Sequence, residues 1–495
     1  MNGAKEFGFG GNLRRAARDQ LGPWVVALVL GLFVCTHCLF AEDLRSITGS
    51  VSDLSMRPIK GAKVQAVDCS AKTVTDSSGR FVIKLPLESQ RDRRKGNCLS
   101  TRAVPVRGML EVSKPGFKLR RVPVYDPSEN LDITLYGVSE KVPVIYSTDL
   151  YHPHHDPDDH FDLATIYALE ELDIKEIILD NAHGGQDDNP GTVPVRQMNH
   201  ITGRSLPTAK GLGRALESPT DKALDQRARW QQGVRSMIKT LRESSKKVTI
   251  ITVGSVRDVA AAYNRSPDLL RRKVDRLLIF IGNATTEPPP PDEMFRGMEW
   301  NVHLDPLAYT RIMNSDLPVY WAPCFGQDGY TTIWRAPRRE LLQYAADPVV
   351  NFFLYMWDKN RQAAPVDYLS HQVERSAPEG DRWMWCCAVF AWVGDRRFVR
   401  VPQESENGYK AVQYDSAEDE EVLEPFGFEA FRVTTEIVQH EDGPIVRTRF
   451  KGKTEASNRI MVFKKNMPSR KAESAYASIM TSATAHLIGS LGGSN

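Results

Sequence analysis

No charge of one sign predominates in this chain of 495 residues: 64 Lys and Arg stand against 62 Asp and Glu, a formal net charge of +2. Nothing in that balance calls for a nucleic-acid partner, which would want a basic face. Long hydrophobic runs are also missing after the first 41 residues, so no later segment reads as a membrane span, which needs about 20 apolar residues. Cysteine is scarce, with seven in the chain, and none has the spacing of a zinc site. Hydrophobic residues at 41% and charged residues at 25% are ordinary globular values and exclude a collagenous, disordered or multi-span protein. Nine Trp and 15 Tyr leave room for stacking on a sugar or base without arguing for it. The length suggests two or three domains.

The N-terminus differs from the rest. Arg14, Arg15 and Arg18 precede an apolar run from Trp24 to Cys35, and a softer stretch ends in Leu39-Phe40-Ala41. A basic flank, a short apolar run and a small residue before Glu42 read as an export signal over 1–41. The alternative is an uncleaved anchor, because Leu39 is large for its place before the cut. Cys35 and Cys38 fall inside this segment, so five cysteines remain beyond it. Cys69 and Cys98 share one candidate domain and suit a disulfide outside the cytoplasm. Cys386-Cys387, followed by Ala-Val-Phe, read as buried packing.

Residues 46–137 alternate apolar and polar at period two. The segments "ITGSVSD", "GAKVQAVD", "KTVTDSSGRFVIKLP", "GMLEVSKPGFKLRRVPV" and "LDITLYG" are punctuated by Gly, Pro, Asp and Ser, the pattern of a small β-sandwich. Gly79 in "TDSSGRF" supplies the positive φ of a tight turn. This whole segment resembles the carboxypeptidase regulatory-like domain, a transthyretin-like sandwich. The resemblance implies an accessory module without chemistry of its own.

From Lys141 the pattern becomes strand–helix alternation. "VPVIYSTD", "IKEIILDN", "KVTIITVGS", "VDRLLIFIGNA" and "LPVYWAPC" are apolar runs, and "DDHFDLATIYALEEL" is helix-like. Buried strands alternating with helices predict an α/β fold whose mostly parallel sheet is covered on both faces. Ligands bind such sheets beyond the carboxyl ends of the strands. There lies "DLYHPHHDPDDHFD", Asp149 to Asp162, with five Asp and four of the chain's eleven His. Crowded carboxylates raise one another's pKa and call for a cation. Oxygen donors favour Ca2+, the four His open a transition-metal reading, and a plain polar loop is the third possibility. Residues 396–483 read as an extension packing on this domain, with "DSAEDEE" (415–421) a solvated loop. Residues 484–495 read as a flexible tail.

The stretch from "VIYSTD" through "DPDDHFDLATIYALEELDIKEIIL" resembles the opening of the nucleoside hydrolase-like superfamily, closest to its divergent branch in secreted bacterial proteins. Asp180-Asn181, "ITVGSVRDVAAAYNRSPDLLRRKVDRLLIFIGNA" and "MEWNVHLDPLAYTRIMNSDLPVYWAPC" resemble its later landmarks in order, so that 141–395 would be the catalytic domain. The resemblance implies an exported Ca2+-dependent hydrolase of N-glycosyl bonds, acting on a small nucleoside or glycoside. It implies that Asp149 binds Ca2+ and is the general base, that Asp159 is a metal ligand, and that the Val253 carbonyl faces the ion. Asp158 would hold a ribose hydroxyl or take a second ligand position, and Asn181, Glu299 and Asn301 would hold the substrate. Physical readings stand beside these: Asp158 caps a helix, Asn181 forms a turn, and Glu299 and Asn301 are structural. His152, His154, His155 and His160 lie in an insertion longer than the common family loop; they would line the leaving-group pocket, supply a proton or merely solvate the loop, with one of the four expected to take part.

The chain departs from the family at one place. Where a His-Asp pair closes the metal site, Met384 and Trp385 stand, and Asp381 is the nearest substitute ligand. The alternative function is therefore a non-catalytic sugar- or nucleoside-binding envelope protein. A purely structural envelope protein would give no reason to keep the acidic cluster. The N-terminal segment is the sole membrane contact expected.

Overall fold

A computed structural model describes residues 44–67, 69–86, 108–124, 130–151, 158–180, 191–284, 298–357, 364–371, 379–401, 408–414, 422–440, 443–451, 460–466 and 470–492. The segment 1–41, Cys98, His152, His154, His155, Asn181 and the acidic stretch 415–421 lie outside the described residues.

Seven short strands come first: β1 (Leu44–Asp53), β2 (Lys63–Ala66), β3 (Lys72–Val74), β4 (Arg80–Pro86), β5 (Met109–Ser113), β6 (Arg120–Pro123) and β7 (Asn130–Leu135). They form two sheets, ordered β4-β1-β7 and β3-β2-β5-β6. The period-two pattern buries alternate residues, and Val51, Val64, Phe81, Val112 and Ile133 share one core between the sheets. Gly79 has φ +71° and opens β4, a conformation that side chains with a Cβ resist. β1 pairs antiparallel with β4 and parallel with β7.

The larger unit is built on β8 (Val142–Thr148), β9 (Leu172–Leu179), β10 (Thr208–Lys210), β11 (Val248–Thr252), β12 (Val274–Phe280) and β13 (Val319–Ala322). A hairpin, β14 (Trp334–Pro337) with β15 (Asp381–Met384), and a small sheet of β16 (Arg397–Arg400), β17 (Tyr409–Val412) and β18 (Val422–Leu423) follow. The chain then returns as β19 (Phe426–His440), β20 (Gly443–Lys451) and β21 (Ile460–Lys465). The helices that matter for the site are α1 (Asp158–Ala168), α2 (Arg257–Arg265), α3 (Trp300–Leu304), α4 (Pro306–Met313), α5 (Asp347–Trp357) and α6 (Arg470–Gly489).

The main sheet has nine strands in the order β10-β9-β8-β11-β12-β13-β21-β19-β20. From β10 to β21 every pairing is parallel, and β19 and β20 add antiparallel edges. Every residue of β8, β11 and β12 is buried. Alternation explains how: Val144, Tyr146, Leu278 and Phe280 join a core with α1, α5 and α6, while Ile145, Leu277 and Ile279 join another with α2 and α4. Leaving β8, the chain runs outward to β9 and β10, then crosses back to β11, β12 and β13. The order reverses between β8 and β11, and the crevice past their carboxyl ends is where such sheets take ligands.

The C-terminal extension joins the domain by adding to its sheet, β21 pairing with β13. The expectation of a free tail needs correction over its described part, 484–492. α6 continues to Gly489, and Ala485, Ile488 and Leu491 are buried. "TSATAHLIGSLG" mixes small polar and apolar residues without charges to mark a wet face, so only the surrounding core reveals the helix.

The sandwich is tied to the larger unit. Tyr136 donates to Asp275, Lys118 Nζ to the Gly394 carbonyl at 2.9 Å, and Lys247 Nζ to Asp132 at 3.0 Å. Cys69 is half-buried, with its expected partner outside the described residues, and Cys386 and Cys387 are buried as expected. No helix among the described residues is long and apolar enough to cross a membrane.

Candidate functional site

Three strand ends converge. Asp149 is the first residue after β8, and it rests on Gly254, two residues after β11. A Cβ on Gly254 would lie 2.9 Å from the Asp149 backbone nitrogen and from its Oδ1, so only glycine fits there. Asp180 follows β9; its N–H donates to the Thr148 carbonyl at 2.8 Å, and its Oδ2 accepts from Ser255 N at 2.9 Å. Thr148 Oγ1 meets Asp159 Oδ1 at 3.4 Å, in the first turn of α1. These bonds draw the loops after β8, β9 and β11 around one acidic cluster. Asp149, Asp159 and Asp180 are each at most 9% exposed.

Burial is the largest influence on Asp149, Asp158, Asp159 and Asp162, and at the first three repulsion adds to it. Burial and the Asp180 charge push Asp149 well above the usual carboxylate range, while a hydrogen bond from Trp300 opposes them. Asp158 is raised by burial and then by Asp159, Asp162 and Asp149; Asp159 is raised by burial and then by Asp149 and Asp162. Positive charge reaches the cluster from two edges. Arg382 Nη2 lies 3.4 Å from Asp158 Oδ1, and Arg257 Nη1 lies 3.9 Å from Asp180 Oδ1. Asp162 Oδ1 accepts from Cys387 N at 2.8 Å and from its Sγ at 2.9 Å.

Arg257 is also a clamp. Its Nε donates to Asp305 at 3.1 Å, its Nη1 to the Leu212 carbonyl at 3.1 Å and its Nη2 to the Leu304 carbonyl at 2.6 Å. Asp305 in turn caps α4 through Ala308 N at 2.9 Å. The guanidinium thus fixes the loop around Leu212 and the end of α3 against the site.

A hard cation fits the donor types, since the converging acids offer only oxygen and repel one another. Among the described residues, however, no three His, Cys, Asp or Glu side chains are gathered as ligands.

Five residues expected at the site have other contacts. Glu299 is buried beside Asp149, yet its carboxylate accepts from Gly282 N at 2.7 Å, Asn301 N at 2.9 Å and Val302 N at 3.2 Å. Asn301 donates its amide to the carbonyls of Val253 and Phe280, both at 3.0 Å. The pair therefore pins the ends of β11 and β12, and the Val253 carbonyl expected to face an ion already accepts one bond. Asp381 is not a substitute ligand: it pairs with Arg335 at 3.0 Å with 39% of its side chain exposed. The structure places Met384 in the core, and Trp385 edge-on to Phe325 with ring centroids 6.2 Å apart. His160, the described member of the four histidines, packs in the core 5.7 Å from the Phe352 ring.

Sequence reasoning gave no role to Asp162, Asp180, Arg257 or Arg382. Asp180 was findable as an acid ending an apolar strand, and Asp162 as one turn past Asp159 on the helix. The two arginines carried no local signal.

With an acid-lined floor and few countercharges, the crevice suits a cationic or cation-bearing ligand and the removal of a proton from water. Residues 153–410 match the family described as inosine-uridine preferring nucleoside hydrolase. A pyrimidine-specific ribonucleoside hydrolase RihA of Citrobacter koseri is 31% identical over 198 residues, covering 37% of this chain and 59% of that protein. A RihA of Escherichia coli is 30% identical, covering 37% and 60%. The chain thus spans about three fifths of the length of these relatives. The crystal structure of an inosine-uridine preferring nucleoside hydrolase from Bacillus anthracis aligns over 69% of this chain and 100% of that one, at 14% identity and a TM-score of 0.40.

Proposed function

Because the chain belongs to the inosine-uridine preferring nucleoside hydrolase family, we propose that it hydrolyses the N-glycosyl bond of a ribonucleoside at the Asp149 crevice, with Ca2+. The observation that carries this reading is the buried acid cluster at the reversal of strand order. Asp149 and Asp159 would hold the ion, with Asp158 beside them. When bound, Ca2+ would supply the charge that grips the sugar's vicinal hydroxyls and lowers the pKa of water.

The chain's own residues do the rest. Asp149, just past the end of β8 at the mouth of the crevice, is placed to take a proton from the attacking water on a carboxylate oxygen. Breaking the glycosidic bond builds positive charge on the sugar, which the surrounding carboxylates stabilise. Glu299 and Asn301 act on substrate only indirectly, by holding the strand ends. Pyrimidine nucleosides and inosine are the first substrates to try, given the descriptions of the relatives and of the family.

Export through residues 1–41 and an accessory role for the sandwich, resembling the carboxypeptidase regulatory-like domain, belong to the same proposal. The mass of the mature N-terminus in cell-envelope and medium fractions tests export; a chain starting near Glu42 is expected.

A second reading is a nucleoside-binding protein without turnover. Met384-Trp385, in place of the family's His-Asp pair, and the contact of Arg382 with Asp158 favour it. Reducing-sugar release from a nucleoside panel, with EDTA and then with added Ca2+, separates the two. Hydrolysis lost on chelation and restored by Ca2+ is expected. Calorimetric binding without sugar release would establish the binder instead.

A further inference from the structure

Asp381 and Trp383 lie on the outer face of β15, exposed, while Arg382 and the buried Met384 alternate to the inner face, as successive strand residues must. The strand that was expected to deliver an acid therefore delivers a guanidinium. Arg382 Nη2 stands 3.4 Å from Asp158 Oδ1, with the two side chains only 20% and 15% exposed. Contacts between unlike charges at such partly dry positions are stronger than on an open surface. The repulsion of Asp159, Asp162 and Asp149 is felt at the Asp158 carboxyl. The acids nonetheless are not gathered as a ligand set among the described residues.

We propose that Arg382 is an internal counter-cation: it occupies Asp158 in the metal-free protein and competes with the divalent ion for the cluster. The inference rests on the calcium reading above. Two effects act in the same direction. The guanidinium repels an incoming divalent charge, and it engages a carboxylate that would otherwise share in neutralising that charge. Removing it weakens both, so cation affinity rises.

Calorimetric titration of CaCl2 into the full chain tests this. Arg382→Gln removes the charge and should tighten Ca2+ binding about tenfold, equivalent to about 1.4 kcal/mol. Arg382→Lys keeps the charge and should stay within about threefold of wild type, as should Arg335→Gln, which removes a charge from the same hairpin's outer face. Equal or weaker binding by Arg382→Gln overturns the proposal. Equal tightening by Arg382→Lys overturns it too, because charge would not be the cause, and equal tightening by Arg335→Gln would reduce the effect to net charge. Should Arg382→Gln not fold, Arg382→Met, which keeps the packing stem, carries the same expectation. If wild type binds Ca2+ and the neutral variant is unchanged, this inference alone falls. If neither wild type nor any variant binds Ca2+, the calcium reading falls with it.

Discussion

Asp258 carries a buried carboxyl that receives one backbone bond, from Leu212 N at 3.2 Å to Oδ1. Burial, helped by the Asp180 charge, pushes its pKa up to about 7 in spite of Arg257. The unfolded chain holds the same group at about 4, so the folded state binds this proton more tightly. Its contribution to stability is whole below about pH 4 and is lost as pH rises through about 7. Asp258→Asn stays neutral throughout. Urea unfolding should find the variant close to wild type near about pH 4 and more stable near about pH 8, by on the order of 2–4 kcal/mol. The same difference at both pH values would remove the assignment. Asp149 is the other decisive residue. Asp149→Asn keeps size but neither charge nor basicity, and general base catalysis is worth about 10²–10⁴-fold. A loss of that order in kcat at saturating Ca2+ is expected, and full activity would show that another group takes the proton.

Elements set these residues in place through their ends rather than their middles. Glu299 precedes α3 and holds three backbone N–H groups, while Asn301 joins the Val253 carbonyl just past β11 to the last carbonyl of β12. Glu299→Ala would leave those donors buried and unmet, costing about 2–4 kcal/mol. Thermal unfolding should reveal it, with Glu299→Gln much milder. Gly254 acts differently, by being small. An alanine there would press on Asp149 and move it by a fraction of an ångström, and misplacements of about 1 Å cost about 10²-fold in rate. Gly254→Ala should therefore lower kcat/KM strongly. An unchanged kcat/KM would mean that Asp149 is not held by this contact.

At the scale of the whole molecule, the C-terminal hundred residues complete the sheet they follow. β21 lies against β13, and Phe463, Tyr476 and Ile488 enter the same core as α1. A chain ending at residue 414 would expose an unpaired strand edge and an apolar face, the features that drive aggregation. It should be insoluble or unfold without cooperativity, whereas the full chain should unfold cooperatively; a soluble truncation with the full chain's Tm would refute this. The sequence by itself determined the parts with a local period. Alternation marked the sandwich strands, unbroken apolar runs marked β8, β11 and β12 because both their faces are covered, and the acids of "DDHFD" marked the mouth of the crevice. What the tertiary structure alone decided joins residues far apart in the chain. It set Asp180 beside Asp149, turned Glu299 and Asn301 into strand ties, inserted β21, buried α6 and brought Arg382 to Asp158 across 224 positions. No repeat of two or 3.6 residues encodes such meetings, because they follow from how the finished sheet stacks its loops, and a single arginine carries no period of its own.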